Sequence, residues 1–250
     1  MANIFPFFDA RRQISKRLSF EDLSDGEMIQ TTRFPRSIVE ELRDVIGGEL
    51  NRHTGRSSPV PVETQLLAAL EFYATGSFQW VVGRNCGLAQ SSVSHCISKV
   101  TEALVKLAPE YIVYPTDAAT LRATKHAFHQ VARFPNVVGA IDCTHVVIKA
   151  PTVNEEAYVN RKGAHTINVQ AVCDADMKLL DVVAKWPGSS HDSFIWRSSG
   201  LRDAFSSGLL QGGWLLGNYK LAFSYLVYLC ISQFLSSIFI KFSVSAVLVF

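Results

Sequence analysis

The sequence predicts an α/β chain in which helices come first and a mixed sheet follows. Three observations predict it. Before residue 133, apolar residues recur at helical spacings between Gly, Ser and Pro breakers. After residue 134, short β-rich runs follow one another, VVGAI, VVI, TINVQAVC and LLDVVAKW, with polar turns between them. The length of 250 residues and an apolar content of 48% suffice for a real core, in one large domain or two small ones.

Four stretches follow from these patterns: a helical and loop region at 1–61, a helical domain at 62–133, a partial sheet domain at 134–218 and a hydrophobic tail at 219–250. In the first, Arg11, Arg12, Lys16 and Arg17 form a loose basic cluster, read as a solvated face because Gln13–Ser15 interrupts it. Residues 37–50 place Ile38, Leu42, Val45 and Ile46 on one helical face, with Gly47 and Gly48 as the stop. Residues 54–61, TGRSSPVP, read as a loop.

The second stretch predicts a helix over 63–74 with Leu66, Leu70 and Tyr73 inward, ended by Gly76. Ser77 is placed to cap a short helix over 78–86, and Gly87 to stop it. Ser91 or Ser92 is placed to cap a third helix, in which Val93, Ile97, Val100, Leu104 and Leu107 make one apolar stripe. Two helices about a short Gly-containing turn are a helix-turn-helix layout. In that layout Ser92, His95 and Lys99, near the start of the last helix, would meet DNA bases or phosphates. A plain three-helix bundle is the alternative, and the balanced charge of 62–107 gives DNA no support. Residues 118–132 predict a further helix, and His126 and His129 on it read as solvated, because no carboxylate or Cys is spaced to complete a zinc set.

In the third stretch, 137–150 reads VVGAIDCTHVVIKA and predicts a buried hairpin with a polar turn after Asp142. A carboxylate at the end of a buried strand needs compensation by a metal ion or hydrogen bonds. An Asp that caps the turn through its own backbone is the alternative. A polar loop over 151–163 comes next, then a second hairpin of 166–173 and 179–186 turned by DADM. After the loop PGSSHDS come two short helices, 193–198 and 201–207, and a last brief strand, GWLLG. An antiparallel trio, helix, then parallel strand is the order of an RNase H-like core, here incomplete. In it Asp142 and Asp192 are carboxylates at strand ends, suited to Mg²⁺ or Mn²⁺ and so to phosphodiester cleavage.

Composition excludes other classes. The five cysteines are odd in number and none is spaced CxxC, which argues against a disulfide framework or a Cys-based zinc site and fits a reducing compartment. Outside the tail, acids and bases balance, so a strongly basic nucleic-acid footprint is absent. The N-terminus shows no signal-peptide core, because Asp9, Arg11 and Arg12 interrupt its apolar run.

Four motifs, GAIDCTH at 139–145, NRKG at 160–163, PGSSHDS at 187–193 and GWLLG at 213–217, occur in the order and spacing that resembles the Harbinger transposase-derived nucleases. The resemblance implies a DDE-type, RNase H-like core that cleaves DNA with a divalent metal. It also implies a nuclear role, with some cytoplasmic protein, and a separate Myb-like helper for DNA binding and import; a homo-oligomer is compatible with it. Asp142 matches the family's first catalytic aspartate and Asp192 the carboxylate of its SxHD motif, both as metal ligands. Arg161, Lys162 and His191 are expected near phosphate, a solvated loop being the alternative for the two cations.

This chain also departs from the pattern. Asn218 stands where the family has an Asp, and 219–250 holds no Asp or Glu to match the family's final Glu. The expectation is therefore a nuclease impaired as written. A non-catalytic DNA- or protein-binding module acting through the helix-turn-helix-like region is the alternative. Residues 221–240 are uncharged and long enough to span a membrane. The preferred reading is a tail of non-family sequence after a truncated core, with a membrane anchor as the lesser alternative.

Overall fold

The computed structural model describes residues 16–51, 59–208, 210 and 213–217. The Arg11–Arg12 end of the basic cluster, most of the 54–61 loop, Asn218 and the tail lie outside the described residues. The chain divides into two compact units between Ala103 and Leu104.

The first unit holds α1 (Asp25–Thr32), α2 (Arg36–Leu50), α3 (Val62–Thr75), α4 (Gln79–Cys86) and most of α5 (Gln90–Tyr111). Helix α3 is the centre of this unit: Leu66, Leu67, Ala68, Ala69, Leu70 and Tyr73 are all buried, as expected of a helix that is apolar on most sides. Its one buried acid, Glu71, is offset locally, accepting hydrogen bonds from the Asn85 amide and the Cys86 thiol. Tyr73 and Thr101 share a buried hydrogen bond that ties α3 to α5.

The helix-turn-helix layout is present, with Gly76 and Gly87 both left-handed at the ends of α3 and α4. Its caps differ from expectation. Phe78, not Ser77, precedes α4, and α5 starts at Gln90, so Ser91 and Ser92 lie inside its first turn. Likewise Gly47 and Gly48 lie within α2, which runs to Leu50 because Ile46 and Leu50 are buried and hold its last turn.

The second unit carries α6 (Ala118–Ala132), β1 (Val137–Val147), β2 (Thr166–Cys173), β3 (Leu179–Pro187), α7 (Asp192–Arg197), α8 (Gly200–Ser206) and β4 (Trp214–Gly217). The sheet order is β3-β2-β1-β4. Strands β1, β2 and β3 are antiparallel neighbours, and β4 runs parallel to β1. Helix α6 covers one face through Phe128, packed with Val137, Ala140, Ala171, Cys173 and Leu179. On the other face Trp196 of α7 and Leu201 and Phe205 of α8 pack on Ile141, Val172 and Leu180. This mixed α/β sheet, with its antiparallel trio and flanking parallel strand, has the form of an RNase H-like core.

One expectation is overturned. Residues 137–147 form a single strand, not a hairpin, and the ladder with β2 runs unbroken from Ala140↔Cys173 to Val147↔Thr166. Among the described residues, β4 pairs with β1 as far as Gly217, opposite Ile141. Burial along β1 falls at the same place, from fully buried at 137–140 to half-buried at 141–144. Asp142, Cys143 and Thr144 lie inside the strand, paired with β2, and not in a turn.

Candidate active site

A cavity of about 680 Å³ is lined, among the described residues, by Ile141, Asp142 and Cys143 of β1, Gln170 of β2, His191 to Ser193 and Trp196 around α7, and Leu215 to Gly217 of β4. Ligand sites in sheets with parallel strands lie at such strand ends. The structure thus brings Asp142 and Asp192 into one cavity, although fifty residues of chain separate them.

Each carboxylate is positioned by the chain around it. Asp142 is fixed by the β1–β2 ladder, and its Oδ1 accepts the Cys143 N–H at 2.8 Å. Asp192 opens α7, whose seat on the sheet is the fully buried Ile195 and an edge-to-face contact of Phe194 with Trp186, ring centres 4.8 Å apart. The buried Asn168 of β2 donates from Nδ2 to Asp192 Oδ1 and to the Ser190 carbonyl, both at 2.9 Å. One carboxamide therefore holds the carboxylate and the loop before it.

Burial, and secondarily the negative charge of Asp192, push the Asp142 carboxyl above its ordinary value, against the Cys143 N–H that lowers it. Burial first, then the charges of Asp192 and Asp142, push the Cys143 thiol up and keep it protonated, hydrogen-bonded towards Asp192. Among the described residues no Lys or Arg lines the cavity that holds Asp142 and Asp192. That charge deficit is what a cation would offset. Among the described residues no group of three or more His, Cys, Asp and Glu is gathered for a metal. A closed, all-protein cage is therefore not what this arrangement offers. Two carboxylates do fit a hard cation such as Mg²⁺, which keeps several of its waters.

The rim brings a third expected group into place. Asn160 Oδ1 accepts the N–H groups of Lys162 (2.9 Å) and Ala164 (3.1 Å), turning the NRKG loop tightly at Gly163, which has φ +76°. Gly188 lies against Tyr158 and Thr166 with no room for a Cβ, and the Ser189 N–H bonds the Ala157 carbonyl. These contacts fasten the two loops, and Arg161 Nη2 donates to His191 Nδ1 at 2.9 Å. An arginine only donates, so the neutral His191 ring carries its proton on Nε2. Lys162 is exposed on the same loop.

Ser92, His95 and Lys99 belong to the helical unit and do not line the cavity. They follow one face of α5, opposite the buried Val93, Ile97 and Val100; His95 is exposed, and Ser92 and Lys99 are half-buried. Sequence reasoning missed Asn168, Gln170 and Cys143. A signal existed for the first two: carboxamides two apart in the otherwise apolar TINVQAVC share one face of a strand.

The mixed α/β sheet has the form of an RNase H-like core, and residues 141–230 match the family described as DDE superfamily endonuclease. The chain is 42% identical over 202 residues to the rat and human proteins named "Putative nuclease HARBI1", covering 81% of this chain and 58% of each of those proteins. It is 29% identical over 165 residues to the Arabidopsis thaliana "Protein ALP1-like", covering 65% of this chain and 40% of that protein. The chain is similar over most of its length to the Harbinger transposase-derived nucleases. It spans less than two thirds of the length of the curated relatives named above. No solved structure matches it. Among the described residues no helix is long and apolar enough to cross a membrane, and the candidate span at 221–240 lies outside them.

Proposed function

We propose that this chain cleaves DNA phosphodiester bonds with a divalent cation, Mg²⁺ or Mn²⁺, held between Asp142 and Asp192. The observation that carries this is that Asp142 and Asp192 line one cavity in which, among the described residues, there is no Lys or Arg. The cation supplies Lewis-acid polarisation of the phosphate and a more acidic water. The protein's own groups do the rest. Asp142, whose affinity for a proton burial has raised, takes the proton of the attacking water. Asn168 keeps Asp192 aimed at the cavity. His191 donates from Nε2 to a phosphate oxygen, and Arg161 and Lys162 attract the strand from the rim. Asn218 offers an oxygen without the charge of an Asp, so metal affinity and cleavage are weak in this chain. Nuclear action with a Myb-like helper completes the reading, because the chain's near-neutral balance leaves DNA affinity to a partner.

The test is Mg²⁺-dependent nicking of duplex DNA by the purified chain. Weak cleavage is expected, abolished in Asp142→Ala and Asp192→Ala and raised in Asn218→Asp. Cleavage unchanged in Asp142→Ala overturns the assignment. A second reading, non-catalytic DNA binding through α4 and α5, is favoured by the left-handed Gly87 turn and the polar face of Ser92, His95 and Lys99. It predicts salt-sensitive DNA binding that Lys99→Ala weakens and Asp142→Ala leaves unchanged.

A further inference from the structure

Helix α6 carries a concentration of charge that the cavity does not use. From Ala118 to Arg133 there is no acid, while Arg122, Lys125 and Arg133 are cationic and His126 and His129 lie among them. Arg122, His126, His129 and Arg133 follow one another at spacings of four, three and four residues, which sets them in one row along the helix. Phe128 is on the other side of α6, 4% exposed and packed on Val137, Ala140 and Ala171 of the sheet. All four residues of the row are exposed. Among the described residues no acid makes an ion pair with any of them.

A solvated helix face ordinarily mixes the two signs, because opposite charges three or four residues apart support a helix and like charges oppose it. This row holds one sign only. The helix dipole accounts for part of it, since His129 and Arg133 stand at the C-terminal end, where positive charge is favoured. It does not account for Arg122, which lies in the first half of the helix. The opposite charge that the row lacks has to come from outside the protein. The two arginines are eleven residues apart, about 16 Å along a helix, and that length runs beside about five phosphates of one DNA strand. A guanidinium grips two oxygens of one phosphate, and an imidazole N–H donates to one. Position in the fold favours DNA over an acidic protein. Asp142 pairs with Ala171 across the β1–β2 ladder, so it stands on the sheet face that α6 covers.

We infer that the outer face of α6 is a surface for duplex DNA, on which Arg122 and Arg133 hold phosphates of one strand and His126 and His129 donate to phosphates between them. This rests on the reading of the chain as an enzyme acting on DNA, and it adds a surface outside the cavity and outside the four sequence motifs. Phosphate contacts carry no sequence information. The face therefore sets how a duplex lies on the sheet, not which sequence is cut.

The experiment is a salt titration of duplex-DNA binding by the full chain, followed by fluorescence anisotropy in EDTA so that no divalent cation takes part. In the double variant Arg122→Ala/Arg133→Ala, affinity at about 50 mM salt is expected to fall about tenfold or more, equally on unrelated sequences, and the slope of log K against log salt to become shallower by about 2. Arg122→Lys/Arg133→Lys keeps both charges and is expected to keep most of the slope. Both positions are exposed, so melting temperatures are expected to match the parent's; if the alanine pair does not fold, Arg122→Gln/Arg133→Gln reads the same quantity. Parental affinity and slope in the variant without the two charges overturn the α6 surface alone, and Mg²⁺-dependent nicking by the parent chain then leaves the nuclease reading standing. A parent that binds no duplex even at low salt overturns this surface, and one that also nicks none overturns the nuclease reading with it. Poly-glutamate that binds the parent more tightly than the duplex does, through the same two arginines, overturns DNA as the partner and gives the face to an acidic protein.

Discussion

Asn168→Ala tests how the second carboxylate is held. The substitution removes two hydrogen bonds from one buried nitrogen. The bond to the Ser190 carbonyl is neutral and contributes about 1 kcal/mol. The bond to Asp192 is charge-assisted but its acceptor faces solvent, which sets it at about 1.5 kcal/mol, the lower end for such bonds. Against this, Asn168 Oδ1 is buried without a partner, and its loss returns roughly 1 kcal/mol. The net destabilisation is about 1.5 kcal/mol, or a drop of roughly 5 °C in melting temperature for a unit of this size. Urea unfolding followed by tryptophan fluorescence reads it, since Trp186 pairs with Asn168 across the β2–β3 ladder. Mn²⁺ affinity falls in parallel by about tenfold, as usual when a group orienting a metal ligand is lost. A change below about 0.5 kcal/mol together with unaltered Mn²⁺ binding would refute the argument that Asn168 holds Asp192 in place.

Other perturbations have equally definite outcomes. Gly188→Ala drives a Cβ into Thr166 and the Tyr158 carbonyl, with approaches of 2.2 to 2.8 Å, and is expected to cost more than about 3 kcal/mol by limited proteolysis or melting. Phe128→Ala empties the core between α6 and the sheet and is expected to lose about 3–5 kcal/mol in urea unfolding. Burial raises the Asp181 carboxyl, so the folded state holds its proton more tightly than the unfolded chain does. Its contribution to stability is therefore greatest at acid pH and is lost as pH rises through the raised value. Asp181→Asn should flatten that slope in unfolding curves taken between about pH 4 and pH 7, and an unchanged slope would count against it.

The fold was legible wherever one short stretch decided its own structure. Residues 166–173 and 179–187 alternate or run apolar between turn residues, and both are strands. Gly76 and Gly87 end helices by a conformation that most side chains resist. The error over 137–147 came from reading polarity as a turn. Polar residues also occur inside a strand, and the pairing that keeps 142–147 extended is with β2, some twenty to thirty residues further on. The cap errors are of the same kind: Ser77, Ser91 and Ser92 are good caps by residue type, but packing of Val82 and Val93 sets where α4 and α5 begin.

By itself, the sequence determined the residue types of the site, the order of the strands along the chain and the family resemblance, because motifs and hydrophobic periods are properties of neighbours in the chain. It named Asp142 and Asp192 but held no account of what lies between them. Only the tertiary structure decided that both face one cavity, that Asn168 fastens Asp192, that Arg161 orders His191, and that Gln170 stands in the wall with no protein partner. The physical reason is that hydrogen bonds and burial act over a few ångströms of space. Residues 142 and 192 come to line one cavity only when the β1–β2 ladder has paired and α7 has folded back upon it.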